Sequence, residues 1–162
     1  MSLSHKVSLI AAAILWVIWG LVHAFAGILV LTADAIGAFQ AITDAIDPSH
    51  LAFNDLEAVG GILNQHDWSL LWFGLATIIG AVFIWRKNMT AIWVTVMVGG
   101  LVDLGYLSLV HLPGYLNVFP GPVMTFISSA AIALSFWVWL TTKRSTKFTP
   151  KQTISGVSSC VT

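Results

Sequence analysis

Four stretches of the chain are nearly free of charge and long enough to cross a bilayer. The first is uncharged from Val7 to Ala33, and the second runs from Trp68 to Trp85 between Asp67 and Arg86. The third runs from Met89 to His111 with Asp103 as its one charge, and the fourth from Phe119 to Thr142. A spanning helix needs about 20 apolar residues. In hydrocarbon, a single segment can satisfy its own backbone only as a helix. The pattern therefore predicts helices at about 7–32, 68–85, 89–111 and 119–142. The expected fold is an all-α integral membrane protein, a four-transmembrane-helix bundle.

The breaks between the runs fit this reading. Arg86-Lys87-Asn88 is a tight polar turn that would make the second and third helices antiparallel neighbours. Pro113-Gly114 separates the third run from the fourth, and Pro120 and Pro122 stand where a helix start tolerates proline. Trp68, Trp72, Trp85, Trp93, Trp137 and Trp139 fall near expected helix ends, as in an interfacial belt. Trp16 and Trp19 lie deeper and call for a different role, for which core packing is the plainest.

The segment 33–67 is too long for a bare linker. Ala35, Ile36, Phe39, Ile42, Ala45 and Ile46 are helically spaced, with polar residues between them. Asp47-Pro48-Ser49 interrupts the pattern, and Leu51, Phe53, Leu56, Val59, Ile62 and Leu63 resume it. Both stretches read as short amphipathic helices at the outer membrane surface, their acids forming a solvated face. No EF-hand spacing supports calcium binding.

Composition and charge sharpen the picture. The chain has 162 residues, 57% of them hydrophobic and 9% charged, against about 25% charged in a soluble domain. The bases are Lys6, Arg86, Lys87, Lys143, Arg144, Lys147 and Lys151; the acids outside the expected spans are Asp34, Asp44, Asp47, Asp55, Glu57 and Asp67. The positive-inside rule then places the N-terminus, the Arg86–Asn88 turn and the C-terminus in the cytoplasm. The 33–67 loop faces outward, and 143–162 is expected to be a mobile cytoplasmic tail. Ala24-Phe25-Ala26 resembles a signal-peptidase site, but the apolar run continues past it to Leu31, so it reads as a retained helix. A prokaryotic inner membrane is the simplest location, since no eukaryotic targeting signal is present. No basic patch suggests nucleic acid. The single cysteine, Cys160, forms no internal disulfide.

Candidate chemistry lies in the spans, where an ionisable residue is a functional hypothesis by default. His23 and Asp103 each precede the outer end of their helix by eight residues, about 12 Å at 1.5 Å per residue. Gly20 and Gly27 flank His23 on its helix face, and Gly99 and Gly100 precede Asp103 by one turn. Small residues allow close helix approach, so the two side chains are expected to face inward and to pair. Tyr106 is one turn from Asp103 and Trp19 one turn from His23, completing an expected ligand pocket of His23, Asp103, Tyr106 and Trp19. Thr125, Ser128 and Ser129 add hydroxyls in the outer half of the fourth helix. His66 and His111 stand at outer helix ends, at the mouth of the pocket.

Three functions suit such a site. The first is binding of a small ligand or of a metal ion such as zinc, copper or iron, with His23, His66, Asp103 and His111 as donors. Haem ranks below a bare ion because only His23 lies deep. The second is a non-catalytic accessory subunit of a larger membrane complex, its His–Asp pair fixing helix register and its glycines serving packing or assembly. The third is a proton-coupled carrier, which with four helices would act as a homo-oligomer. GxSxG, P-loop, GxGxxG, HExxH and CxxC motifs are all absent.

Overall fold

The computed structural model describes residues 2–47, 55–115 and 121–147, with 143–147 as backbone only. Every element among them is helical: α1 (Leu3–Leu31), α2 (Ala35–Ile42), α3 (Leu56–Trp85), α4 (Met89–Tyr106) and α5 (Gly121–Lys147), with a π-helical turn at Leu107–His111 closing α4. Four helices are long and apolar enough to cross a membrane: α1, α3, α4 with its π turn, and α5 to Thr142. His50, Leu51 and Phe53 of the outer loop, residues 116–120 and the tail beyond 147 lie outside the described residues.

Capping residues set the helix starts. Ser2 accepts from the His5 amide, Asp34 from Gly37, Asp55 from Ala58, and Asn88 from Thr90 and Ala91. Each satisfies an amide that has no partner within the helix. α3 begins at Leu56, well before the expected start at Trp68. The second of the two expected loop helices is the first part of α3. Nothing between Leu56 and Trp68 breaks a helix, since Gly60 and Gly61 only weaken one. The last proline before α3 is Pro48.

α3 ends in a Schellman turn. The Asn88 amide donates to the Phe83 carbonyl at 2.9 Å and the Lys87 amide to Ile84 at 2.8 Å. This requires a left-handed residue, and Lys87 supplies it at φ 64°. Asn88 then caps α4, so three residues both stop one helix and start the next. A left-handed non-glycine residue costs about 1–2 kcal/mol. Lys87→Gly should therefore raise thermal stability in detergent by about 1 kcal/mol, and an unchanged or lower unfolding temperature would count against strain at this turn.

α1 is the hub. It packs antiparallel against α3 and α5, while α4 lies between α3 and α5 and closes the ring. α1 and α3 meet through small residues. A Cβ on Gly20 would stand 2.6 Å from the Gly74 carbonyl oxygen, and one on Gly27 would stand 2.7 Å from that of Asp67. Leu9, Trp16, Trp19, Ile84, Ile92 and Val138 fill the core. The outer surfaces are apolar: Leu21, Phe25, Ile79, Val94, Leu101 and Phe126 are all exposed. Exposed apolar area on this scale is unusual for a water-soluble monomer.

Candidate functional site

The polar residues of the outer half are organised around Trp19. Its side chain is fully buried. The indole Nε1–H donates to Asp103 Oδ2 at 2.9 Å, linking α1 to α4. His23, one turn on, stacks its ring on the indole with centroids 3.6 Å apart and planes 20° from parallel. Its Nδ1 lies 2.8 Å from the Trp19 carbonyl oxygen. A carbonyl can only accept, so Nδ1 carries the proton, and in the neutral ring Nε2 is an acceptor. Asp103 is buried, with the Ser128 hydroxyl of α5 in hydrogen-bonding reach. That hydroxyl gives its one proton to the Thr125 carbonyl at 3.0 Å.

His23 and Asp103 border a chamber of about 770 Å³ lined by α1, α3 and α4, with Gly121 and Met124 of α5 and the end of α2 completing it. Its walls are mostly apolar, among them Val22, Phe73, Met97, Leu101 and Val110. Five polar side chains interrupt them: His23, His66, Asp67, Asp103 and Tyr106. Met97, Leu101 and Leu109 are also strongly exposed, so the wall along α4 is continuous with the helices' outer surface. α2 contributes Ala41 and Ile42 to the lining. The segment after it is tied to the end of α4 by a hydrogen bond from the Ala45 amide to the Tyr115 carbonyl at 3.3 Å. The π turn widens the helix where Leu109 and Val110 line the chamber, and such turns recur at functional sites.

His23, Asp103 and Tyr106 line one chamber, with Trp19 behind them. The expected His23–Asp103 hydrogen bond is replaced by a relay: Trp19 occupies the space between them, stacking on one and bonding the other. His66 is exposed at the mouth and lines the chamber. His111 is not part of the lining. Its ring instead stacks on Tyr106, with centroids 6.3 Å apart.

The four expected metal donors do not converge. Among the described residues, no three of His, Cys, Asp and Glu come together in a way that could hold a metal ion. The reason is rotational: Trp19 screens His23 from Asp103, and His111 turns toward Tyr106. The donor set needed for zinc, copper or iron is not assembled, and nothing in the arrangement favours haem.

Asp67 is the residue that sequence reasoning misplaced. Its place at the end of the outer loop puts it among the acids expected to be solvated, yet it is 0% exposed. Neither carboxyl oxygen has a hydrogen-bond partner among the described residues, and it lines the chamber. The Tyr106 hydroxyl is likewise buried without a partner. A signal for Asp67 was available. It lies one heptad before Gly74 and two before Ala81, both on the buried face of α3. A heptad of small residues marks the packed face of a membrane helix, and Asp67 continues it.

Comparison with family models, with curated proteins and with solved structures gives no match.

Proposed function

We propose that the chain is a multi-pass membrane protein that binds a small, largely apolar molecule, taken from the bilayer, in the chamber between α1, α3 and α4. The four long helices form the transmembrane bundle. Lys6 and the Arg86–Asn88 turn lie on the cytoplasmic side, and α2 lies over the outward mouth. The observation that carries this reading is the chamber itself. A site of a few hundred Å³ or more, mainly apolar and with a few convergent polar groups, has the usual form of a small-molecule pocket. The exposed side chains of Met97, Leu101 and Leu109 offer a hydrocarbon path into it. The metal form of the ligand is not retained.

The accessory-subunit reading draws less support. Gly20, Gly27, Gly74 and Gly99, which assembly would use, are each occupied by contacts within the chain. A carrier would need a second opening. Below the chamber, Gly99 packs against the Trp16 ring and Thr77.

The test is solvent extraction and mass spectrometry of protein purified in mild detergent, with Ala26→Phe alongside. Ala26 lines the chamber, and a phenyl ring there would project into it beside His23 and Val22. The expected result is a discrete small molecule at near-stoichiometric amount in the wild type, reduced at least tenfold in Ala26→Phe. Equal recovery of bulk phospholipid alone from both proteins would defeat the reading.

A further inference from the structure

The polar atoms of the chamber are mostly acceptors. Asp67 is fully buried, and among the described residues neither of its oxygens has a hydrogen-bond partner. His23 has committed its Nδ1–H to the Trp19 carbonyl, leaving an acceptor at Nε2. Asp103 accepts from Trp19 through one oxygen. Among the described residues, no lysine or arginine lines the chamber. The bases whose side chains are described, Lys6, Arg86 and Lys87, sit at the opposite end of the helices. His66 is the titratable base within electrostatic reach of Asp67, and it is exposed at the mouth.

A carboxyl group held out of water without a partner is strongly disfavoured, and in a membrane it marks the place of a counter-ion or substrate. Resting on the chamber reading, we propose that the ligand is an amphipathic organic amine, its ammonium N–H groups donating to Asp67 once that carboxyl group turns from its buried position into the chamber. His23 Nε2 stands as a further acceptor, and the hydrocarbon body lies along Val22, Met97 and Leu101. Three N–H donors on a compact cation match an acceptor-only carboxylate and imidazole. An anionic head would meet the carboxyl groups of Asp67 and Asp103, with no lysine or arginine among the described lining residues to offset them. A phospholipid ammonium carries its phosphate beside it, for which the chamber supplies no cationic partner, so a free amine is the better occupant.

The experiment compares adamantylamine, adamantanol and adamantanecarboxylate, which share one compact apolar body under three heads. Binding is measured by equilibrium dialysis to the full chain in phosphatidylcholine nanodiscs. The amine is expected to bind at least tenfold more tightly than the alcohol and the carboxylate. Asp67→Asn, which keeps the shape, should erase that preference while retaining alcohol binding. Equal binding of amine and alcohol to the wild type would overturn the amine assignment but leave the chamber reading standing. Failure of all three, with Ala26→Phe indistinguishable from wild type, would overturn both. The wild-type comparison stands alone should Asp67→Asn fold poorly. Loss of amine binding on adding phosphatidylethanolamine would overturn the free amine in favour of the lipid's own ammonium.

Discussion

Gly74→Leu should abolish the folded state, and even Gly74→Ala should cost about 3 kcal/mol or more. A Cβ at this position would lie 2.5 Å from the Gly20 carbonyl oxygen and 2.6 Å from the Ala24 amide nitrogen. Both are backbone atoms of α1, so no side-chain rotation relieves the clash and the helices must separate. Overpacking of a tight core commonly costs about 1–3 kcal/mol where side chains can shift, and a backbone obstacle sits at or beyond the top of that range. Separation here would also pull Gly27 from Asp67 and open the chamber's base. Gly61 is the control. A Cβ there meets nothing within 4 Å, so Gly61→Ala should be neutral or stabilise α3 by up to about 1 kcal/mol. Thermal unfolding in detergent, followed by loss of monodispersity, reads both. Similar unfolding temperatures for Gly74→Ala and Gly61→Ala would mean that α1 and α3 do not meet at this point.

The second large effect is expected at Trp19. Trp19→Ala removes a fully buried ring and should cost about 3–5 kcal/mol through the cavity alone. Trp19→Phe separates the components. It keeps much of the volume and a face for His23 but leaves Asp103 Oδ2 without its donor, at a cost of about 1–3 kcal/mol. A double-mutant cycle with Asp103→Leu isolates the bond. Once the carboxyl group is gone, losing the indole N–H matters less, so the combined variant should be more stable than the sum of the single effects by about 1–2 kcal/mol. Ordinary hydrogen bonds between membrane helices average about 0.6 kcal/mol; this one involves a buried carboxyl group. Strict additivity would show that Trp19 and Asp103 are packed side by side without an energetic link. A cycle of His23→Ala with Asp103→Leu should show much weaker coupling, since Trp19 stands between them.

The long helices were legible in the sequence because each rests on a local property, a charge-free run ending at a visible break. Arg86-Lys87-Asn88 could be read for the same reason: a turn of three residues leaves little choice. The depth of the polar residues was legible as well. Depth along a helix follows from counting residues, which puts His23 and Asp103 at one level, and Gly20 and Gly27 announce a close helix contact. Rotation about the helix axes cannot be counted in this way. Gly20 and Gly27 turn out to face α3 rather than α4, which leaves room for Trp19 to come between His23 and Asp103 and directs His111 toward Tyr106. The metal reading depended on that rotation and fell with it. Asp67 was missed for another reason. It lies at the edge of an apolar run beside several real loop acids, and its burial comes from a distant partner, the Gly27 face of α1.

The central claim is that the chamber holds a ligand distinct from the surrounding lipid. It is tested most directly by photo-crosslinking in native membranes, with benzoylphenylalanine placed either at Met97 or at Phe126. Met97 lines the chamber. Phe126 is 75% exposed and lies outside the lining, so it reports ordinary lipid contact. After irradiation, intact-protein mass spectrometry should reveal one discrete non-phospholipid adduct at Met97, lost when Ala26→Phe is added, and only phospholipid adducts at Phe126. The same phospholipid adducts at both positions, unaffected by Ala26→Phe, would contradict the account.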